Sequence, residues 1–594
     1  MIRTPLRPLA RILKARDKGE DTGAIEAENL RLRHEAVRDK SRMRAEGRLL
    51  VLGGMFVLAF GTIGMRMGAL AGTPAQEPQT ATAGNPIIGQ RADIVDRNGR
   101  ILATNLDTYS LYAQPQEMVD PARIASELAK MFPDLEEEAL LKSFSGKRKF
   151  AWVRRQLSPE QMQAVHDLGS PGLLFGPREM RLYPNGAIAG HILGGASYGR
   201  EGVSSAEVIG VAGVERKFDD YLRDPANEGE PLQLSIDLTV QAAAEEVLAG
   251  GMSLMNAKGA ASVLMDVYTG EIISMVSLPD FDPNNRPRVL LTGDQSDSPL
   301  FNRAVQGVYE LGSVFKIFAI AQGLELGLVT PDTIIDIRGP LKWGRFSLTD
   351  FSNYGAELST TDVIVKSSNI GTARIAMEIG SERQQDFLRS LGFMEATPVE
   401  LQEGPTGRPL LPEKWTELST MTISYGHGLS SSPLHLATGY ASLLNGGTRV
   451  EPTLLRRDTP QTGPRVVSEQ TSRQAREMLR QVVVRGTASF GEVEGYEVGG
   501  KTGTADKPKE NGGGYYDDKV IATFASVFPA NDPKYVLIVT FDEPSETSGD
   551  TPRRTAGWTA VPVAAEMIRR IGPLLGLRPQ VDRSEPIGVT LTSN

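Results

Sequence analysis

The sequence contains no cysteine and few histidines. Among its 594 residues there are no Cys and five His. The absence of cysteine excludes thiolate catalysis, iron–sulfur clusters and zinc sites built on thiolates. It also suits an oxidising compartment in which no disulfide is needed. The histidines are scattered and form no HExxH pattern, which argues against a histidine-rich metal site.

A surplus of positive charge is also absent. The formal net charge is -9. An acidic surface repels phosphate, so the composition gives no indication of nucleic-acid binding. The hydrophobic fraction of 40% and the charged fraction of 23% are those of a globular protein. At ordinary domain sizes the length predicts about two to four domains.

The N-terminal region has the pattern of a membrane anchor. Residues 1–48 carry 13 Lys+Arg against 8 Asp+Glu and lead into "LLVLGGMFVLAFGTIGM", 17 uncharged residues ending at Met65. Spanning a bilayer takes about 20 residues, and Arg66 can snorkel so that the span reaches Ala71. The sequence therefore predicts a transmembrane helix over 49–71. The basic flank predicts a cytoplasmic N-terminus.

Two other interpretations of this apolar segment remain. A buried core helix is disfavoured by the four glycines in the segment and by the basic flank. A cleaved signal peptide is suggested by "ALA" at 69–71, which has the small-x-small form. Cleavage is disfavoured because the basic region is far too long and Arg66 interrupts the approach to the site.

One lysine stands inside an otherwise apolar helical pattern. In "YELGSVFKIF", residues 309–318, Lys316 lies three residues after Ser313. This spacing allows Ser313 Oγ and Lys316 Nζ to meet on one face. Desolvation predicts a lowered pKa for Lys316, giving a neutral amine that can take the serine proton. Gly312 marks the expected helix start, where free backbone N–H groups favour a developing oxyanion.

Two further motifs follow this SxxK motif in order. "KSSNIGTARIA" supplies Ser367 and Asn369, and "VGGKTGTADK" supplies a KTG motif that begins at Lys501. SxxK alone is common by chance, and Ser367 or Asn369 alone would more often cap a helix. The ordered set SxxK, SxN, KTG is that of the penicillin-recognising serine acyltransferases. We expect Ser367 to relay a proton to the leaving amine, and Asn369 to contact the lysine and the substrate amide.

The KTG motif suits an edge strand against which a substrate lies as an added strand. Lys501 and Thr502 would hold a terminal carboxylate. Gly503 would let the substrate backbone approach closely. Thr504 would also line the substrate site, and its N–H together with that of Ser313 would form the oxyanion hole.

With these residues placed, the chain resembles the class B penicillin-binding proteins, most closely their cell-division type, over about residues 90–575. One departure is Leu311, where the family usually has Pro, so the turn into the helix lacks the φ restraint of proline. The segments that carry the resemblance are "RADIVDRNGRILATN" (91–105), "RLYPNGAIAGHILG" (181–194), "GVAGVERKFDDYL" (210–222), "LSIDLTVQ" (234–241), "GAASVLMDVYTGEIISMVSLPDFDPN" (259–284), "YGHGLSSSPLHLATGYASLLNGG" (425–447) and "GGGYYDDKVIATFASVFP" (512–529).

The residue patterns predict part of an α+β fold. Strand-forming segments near 261–277, 497–504, 519–528 and 535–541 bracket a long helical region, and 561–577 has the pattern of a closing amphipathic helix. This arrangement predicts a central antiparallel sheet packed by helices. The resemblance implies that this is the penicillin-binding transpeptidase fold, preceded by an elongated pedestal domain of the dimerisation type.

The expected domain organisation has six parts. Residues 72–86, "GTPAQEPQTATAGNP", show no apolar periodicity and predict a flexible linker. We find no room before the pedestal for the glycosyltransferase domain of the bifunctional class A enzymes. The expected parts are a cytoplasmic basic tail (1–48), a transmembrane signal-anchor helix (49–71), a flexible linker (72–90), a pedestal domain (91–230), a transpeptidase domain (231–577) and a C-terminal tail (578–594).

The resemblance implies a septal peptidoglycan D,D-transpeptidase that uses no cofactor and no metal. Ser313 would attack the D-Ala-D-Ala amide of a stem peptide, D-Ala would leave, and the amine of a neighbouring stem peptide would resolve the acyl-enzyme; a carboxypeptidase side activity is possible. The implied partners are stem peptides, β-lactams, the FtsW-type membrane glycosyltransferase and other divisome proteins. The implied location is the bacterial inner membrane at the septum, with a single span and a periplasmic catalytic domain.

Three alternative functions stay open at this point. An elongation-type class B enzyme would share all the motifs. A β-lactamase would also share them, but it needs fast deacylation by water, and the anchor and pedestal disfavour it. A β-lactam sensor or an inactive scaffold is disfavoured because Lys316, Asn369 and Lys501 are intact.

Overall fold

A computed structural model describes residues 7–72, 91–145, 148–201, 206–509 and 513–580. The chain divides into two compact units, Met1–Ile87 and Ile88–Asn594. Most of the predicted linker (72–90) and most of the predicted C-terminal tail (578–594) lie outside the described residues.

The described part of the first unit, residues 7–72, consists of two helices. The second of them contains the apolar segment Glu46–Met65, 20 residues with a mean hydropathy of 1.8, and is long and apolar enough to cross a membrane. Its apolar side chains are exposed on all sides, as a lipid-facing helix requires. The apolar segment starts three residues before the predicted span and ends just before Arg66. The two helices are α1 (Arg7–Asp17) and α2 (Thr22–Gly72).

The second unit begins with a sheet in the strand order β3–β2–β1–β7, in which β4 also pairs with β2. Helices cover this sheet and enclose a small core that includes Leu111, Leu128 and Phe132. A separate hairpin is formed by β5 and β6. The elements are β1 (Ile94–Val95), β2 (Ile101–Ala113), α3 (Pro121–Met131), α4 (Glu137–Phe144), β3 (Ala151–Leu157), α5 (Pro159–His166), β4 (Leu173–Leu182), α6 (Gly190–Leu193), β5 (Gly195–Glu201), β6 (Ala206–Ala212), α7 (Gly213–Lys217), α8 (Asp219–Arg223) and β7 (Leu232–Gln233).

A five-stranded antiparallel sheet forms the centre of the rest of the chain. Its strand order is β14–β15–β16–β8–β9, so β14 is an edge strand. Both central faces are covered, with α9 and α17 on one side and α15 on the other. The sheet and its two helices on one face are α9 (Leu238–Leu254), β8 (Gly259–Asp266), β9 (Ile272–Leu278), β14 (Gly499–Pro508), β15 (Tyr515–Phe528), β16 (Tyr535–Asp542) and α17 (Ala560–Leu574).

The region between β9 and β14 is mainly helical and packs against the other face of this sheet. It contains two small two-stranded antiparallel sheets, β10 with β13 and β11 with β12. Its elements are α10 (Lys316–Glu325), β10 (Ile334–Asp336), β11 (Leu341–Trp343), β12 (Phe346–Leu348), β13 (Glu357–Ser359), α11 (Thr360–Lys366), α12 (Asn369–Ile379), α13 (Ser381–Ser390), α14 (Glu417–Ser424), α15 (Pro433–Leu444) and α16 (Glu469–Arg485).

The α+β fold predicted from the sequence is confirmed. The central sheet is antiparallel, and the predicted closing helix is α17. Strands β14 and β15 are longer than predicted, because they continue as a two-stranded extension in which Pro508 faces Tyr515. The edge position of β14 leaves one side of the KTG motif open to a ligand.

Candidate active site

Ser313 lies on a tight turn that opens α10. Residues Gly312–Phe315 form one turn of 3₁₀ helix, and α10 continues from Lys316. A 3₁₀ helix has three residues per turn, so Ser313 and Lys316 lie on the same side. The side chain of Leu311, at the position of the family proline, is fully buried. Packing therefore supplies the restraint on this turn that proline would have supplied through its ring.

Three glycines allow the turn to lie between the edge strand and a loop. Gly312 has φ +63°, and a Cβ there would lie 2.8 Å from the carbonyl oxygen of Thr504. Gly426 has φ +87°, and a Cβ there would lie 1.9 Å from the Gly312 oxygen. A Cβ on Gly503 would lie 2.2 Å from the Leu311 oxygen. The close contact that requires Gly503 is therefore with the serine turn, whereas the sequence suggested a substrate backbone.

Lys316 is fully buried and faces the loop between α11 and α12. Its Nζ lies 2.5 Å from the Ser367 carbonyl oxygen, 2.6 Å from Asn369 Oδ1 and 3.1 Å from Ser367 Oγ. Ser313 Oγ makes no hydrogen bond to any residue in the described part of the chain. The expected Ser313–Lys316 pair thus shares one side of the turn, but the amine is turned toward Ser367 and Asn369.

The surroundings of Lys316 favour the neutral amine. Burial holds the pKa of Lys316 well below its usual range, and the charge of Lys501 lowers it further, against an opposing effect of Asp350. A neutral amine has two N–H donors and one lone pair. The two short contacts to carbonyl oxygens use both donors, so the Ser367 hydroxyl can donate to the lone pair.

A second buried lysine approaches the same hydroxyl. Lys501 Nζ lies 3.0 Å from Ser367 Oγ and 3.0 Å from the Thr502 carbonyl oxygen. Burial lowers the pKa of Lys501 to about 7. Ser367 Oγ therefore connects the two amines, and a proton can pass along the line from Lys501 through the hydroxyl to Lys316.

The loop that carries Ser367 is held by a carboxylate that the sequence analysis missed. Ser367 has φ +62° and ends α11, a strained position for a residue other than glycine. Asp350 accepts hydrogen bonds from the N–H groups of Asn369 (2.5 Å) and Ile370 (3.0 Å) and from Ser368 Oγ (2.7 Å). It thereby caps the start of α12 from 19 residues away, and no local pattern marks such a remote cap.

The side-chain amide of Asn369 has a defined orientation. Its Oδ1 accepts from Lys316, and its Nδ2 donates to the Thr349 carbonyl oxygen at 3.1 Å. The expected contact between Asn369 and Lys316 is present.

The two threonine hydroxyls of the KTG strand already have hydrogen-bond partners in the free protein. Thr502 Oγ1 lies 2.7 Å from Thr487 Oγ1. Thr504 Oγ1 accepts from the Ala556 N–H at 3.0 Å, which leaves its own O–H free to donate. Thr487 is a further hydroxyl at this site that the sequence analysis missed, because a single threonine outside a motif gives no signal.

Glu310 anchors the chain just before the turn. Its carboxylate accepts from the Gly428 N–H (2.7 Å) and the Tyr515 hydroxyl (3.0 Å), and His427 Nδ1 lies 3.1 Å away. Burial acts to raise the pKa of Glu310, but these hydrogen bonds outweigh it and keep the pKa below its usual value. The carboxylate thus joins three chain segments around the entrance to the helix.

The residues named from the three motifs are brought together. Five of them lie on one face of the edge strand: Ser313, Lys316, Ser367, Asn369 and Lys501. Within this group, Ser367 links Lys316 to Lys501. A Cβ on Gly312 would lie 3.2 Å from the Thr504 nitrogen, so the two expected oxyanion donors are neighbours. Such a site can activate a serine with a neutral amine and stabilise an oxyanion with backbone N–H groups.

Comparison with protein families gives two matches. Residues 260–567 match the family described as "Penicillin binding protein transpeptidase domain". Residues 86–228 match the family described as "Penicillin-binding Protein dimerisation domain".

Curated relatives match over most of the chain. The probable peptidoglycan D,D-transpeptidase FtsI of Caulobacter vibrioides is 36% identical over 566 residues, which cover 92% of this chain and 92% of the relative. The peptidoglycan D,D-transpeptidase FtsI of Escherichia coli is 28% identical over 483 residues, covering 76% of this chain and 79% of the relative.

Solved structures of penicillin-binding protein 3 from Mycobacterium tuberculosis share the fold. The complex with ampicillin has a TM-score of 0.62 at 26% identity and covers 84% of this chain and 98% of that chain. The complex with aztreonam has a TM-score of 0.61 at 25% identity, with 83% and 98% covered.

Proposed function

Since this chain belongs to the class B penicillin-binding proteins and is a serine-type peptidoglycan D,D-transpeptidase, we propose that Ser313 is its nucleophile. Ser313 Oγ attacks the carbonyl carbon between the two terminal D-Ala residues of a stem peptide. The C–N bond breaks, D-Ala leaves, and an ester joins the stem peptide to Ser313. The observation that carries this proposal is the buried line Lys316–Ser367–Lys501 beside the serine turn.

In the acylation step Lys316 acts as the base. Its neutral amine takes the proton of Ser313 as the Oγ–C bond forms. Ser367 then passes a proton to the nitrogen of the departing D-Ala, and Lys316 restores it with the proton taken from Ser313, so that Lys316 is neutral again and Lys501 keeps its charge. The N–H groups of Ser313 and Thr504 stabilise the oxyanion.

The end of the site formed by the KTG strand holds the terminal carboxylate of the stem peptide. Lys501 supplies the positive charge, and Thr502 and Thr504 supply hydroxyl donors. Gly503 keeps the strand within reach of the serine turn, and the stem peptide lies along the open edge of β14. A β-lactam carries a carboxylate next to a strained amide, as the D-Ala-D-Ala end of the stem peptide carries a carboxylate next to its amide. It therefore acylates the same serine.

We further propose that the enzyme acts at the division septum of the inner membrane. The matches to FtsI proteins support division over elongation. In this proposal residues 49–71 of α2 are the single membrane span, residues 1–48 are cytoplasmic, the linker covers 72–90, and the pedestal (91–230) and transpeptidase domain (231–577) are periplasmic. An FtsW-type glycosyltransferase and other divisome proteins would be its partners. Midcell rather than sidewall fluorescence of a tagged protein would support this assignment, and sidewall fluorescence would refute it.

The nucleophile is tested by Ser313→Ala. The variant should lose covalent labelling by a fluorescent penicillin completely while its thermal unfolding stays unchanged, because Ser313 contributes only the attacking oxygen. Ser253→Ala is the control, since Ser253 is exposed on α9 and makes no side-chain hydrogen bond within the described residues. Labelling of Ser313→Ala at the wild-type level would rule out this assignment.

A further inference from the structure

Two aromatic side chains near the active site are exposed as a pair. Phe490 and Trp558 are 54% and 42% exposed, and their ring centroids lie 5.1 Å apart. The guanidinium carbon of Arg553 lies 4.0 Å from the centroid of the Trp558 ring and restrains it. Within the described residues outside α2, no other paired rings are both exposed. Exposed, restrained aromatic rings commonly mark binding surfaces.

The segments that carry the two rings are bonded to the edge strand. Thr487, three residues before the phenyl ring, shares its hydroxyl hydrogen bond with Thr502. Ala556, two residues before the indole ring, donates its N–H to Thr504 Oγ1. The aromatic shelf, defined as Phe490 and Trp558, is therefore linked by hydrogen bonds of its own chain segments to the two threonines proposed to hold the terminal carboxylate.

The second half of the reaction identifies what this side of the site must receive. In acylation the nitrogen of D-Ala leaves the acyl carbon on the side of the site where the terminal carboxylate is bound. By microscopic reversibility, an acceptor amine that resolves the ester occupies the position that this nitrogen left. An acceptor amine that stands next to a carboxylate on a D-configured carbon places that carboxylate in the site that held the D-Ala carboxylate. Its side chain then extends away from the serine.

We propose that the aromatic shelf binds the side chain of the acceptor, a D-configured amino acid centre with a long, apolar stem in a second peptidoglycan chain. This inference deepens the proposed function and rests on it. In the step, the acceptor nitrogen bonds to the acyl carbon and the ester C–Oγ bond breaks. The proton lost by the nitrogen passes through Ser367 and Lys316 to Ser313 Oγ, which regenerates the free enzyme.

The test measures how the acyl-enzyme divides between water and added amines. The full-length protein in detergent is acylated by an acyl-D-alanyl thioester, and thiol release reports acylation. D-leucine and D-alanine then compete with water as acceptors, and the products are separated by chromatography. For the wild type we expect transfer to D-leucine to exceed transfer to D-alanine by at least about tenfold, because its longer side chain reaches the shelf.

Trp558→Ala and Phe490→Ala should each reduce that preference to about twofold or less, by raising the D-leucine concentration needed for half-maximal transfer. The limiting transfer rate and the rate of thiol release should stay near the wild-type values. Tyr109→Ala, at a ring 41% exposed on β2, is the control and should keep the full preference.

Each outcome decides the matter. Absence of a D-leucine preference in the wild type, or a full preference retained in both shelf variants, would overturn the inference. If Trp558→Ala fails to fold, Phe490→Ala alone decides. Failure of the wild type to release thiol would refute the proposed function itself, and so the two failures are distinguishable.

Discussion

Lys316 and Lys501 differ in their surroundings although both are fully buried. Lys316 contacts two carbonyl-type oxygens at 2.5 and 2.6 Å, and Lys501 contacts one carbonyl oxygen at 3.0 Å. Burial lowers the pKa of both, and the charge of Lys501 lowers the pKa of Lys316 further. A neutral Lys316 beside a protonated Lys501 is therefore the favoured state below about pH 7. This division suits a base and a carboxylate binder in one cleft.

Replacing Lys316 by arginine tests its role as a base. A guanidinium stays protonated and cannot take the serine proton. We expect Lys316→Arg to lower the acylation rate constant by about 10²- to 10⁴-fold between pH 6 and 9, measured with a chromogenic β-lactam. Lys534→Arg, at a partly exposed lysine before β16 that pairs with Asp532, is the control. A rate within a few-fold of wild type would mean that Lys316 only positions Ser313.

The pKa of Lys501 predicts an alkaline limit that depends on the substrate carboxylate. Lys501 carries its charge below a pKa of about 7 and loses it above that pH. The second-order acylation constant, which reports the free enzyme, should therefore fall by up to about tenfold per pH unit above pH 7 for a cephalosporin acid.

The methyl ester of the same cephalosporin separates this effect from all others. The ester has no carboxylate to attract the ammonium, so its smaller acylation constant should not fall above pH 7 as Lys501 loses its proton. Both compounds should lose reactivity at acid pH as Lys316 becomes protonated. Parallel alkaline decreases for acid and ester would exclude Lys501 as the carboxylate-binding charge.

At the scale of elements, the serine turn is held by close backbone contacts. The Gly312 N–H donates to the Gly426 oxygen at 3.2 Å, and the Tyr440 hydroxyl donates to the Val314 oxygen at 2.8 Å. The missing side chains at Gly312 and Gly426 let strand, turn and loop meet. The position of Ser313 thus depends on three elements that are far apart in sequence.

Gly426→Ala should displace this turn. The new Cβ would lie 1.9 Å from the Gly312 oxygen, and a shift of about 1 Å at a nucleophile can cost about 10²-fold in rate. We therefore expect acylation by a β-lactam to fall about 10²-fold. Gly392→Ala is the matched control, because its φ is +90° but the nearest atom, in the Arg449 guanidinium, is 3.6 Å away.

The control separates backbone strain from the steric clash. Both variants incur about 1–2 kcal/mol for a left-handed alanine, visible as a lower midpoint of thermal unfolding. Only Gly426→Ala should also lose acylation. Equal acylation rates in the two variants would show that the turn adapts to the added methyl group.

At the scale of the whole molecule, the first and last segments of the pedestal (91–230) share one hydrophobic core with the transpeptidase region. Ile94, Leu102 and Val214 belong to the same buried cluster as the central sheet. Strand β1 also pairs in parallel with β7. The middle of the pedestal, from Leu111 to Leu173, has a separate hydrophobic core. The boundary expected at residue 230 therefore does not separate two independently folding units.

A fragment of residues 231–577 should therefore not fold stably. It would expose the surface that buries Ile94, Leu102 and Val214, at about 1.5–3 kcal/mol for each large side chain, against a total stability of about 5–15 kcal/mol. We expect it to aggregate or to unfold without a cooperative transition. A fragment of residues 91–580 should unfold cooperatively and label with fluorescent penicillin. Cooperative unfolding of both fragments at the same temperature would contradict the shared core.

Sequence patterns were sufficient to predict the chemistry of the site, because its reactive residues stand in short motifs that follow one another in a fixed order. SxxK places Ser313 and Lys316 on one side of a turn, and the ordered SxN and KTG motifs name their partners without any knowledge of distance. Apolar runs with short turns likewise predict the strands of the central sheet.

Only the tertiary structure decided how these residues are held. The cap from Asp350, the hydroxyl of Thr487, the anchor at Glu310 and the aromatic shelf are single residues that leave no periodic pattern. The same holds for Gly503, whose close neighbour is the serine turn rather than the substrate. Contacts between residues distant in the chain arise from packing, and packing depends on the whole fold. A linear motif cannot encode them.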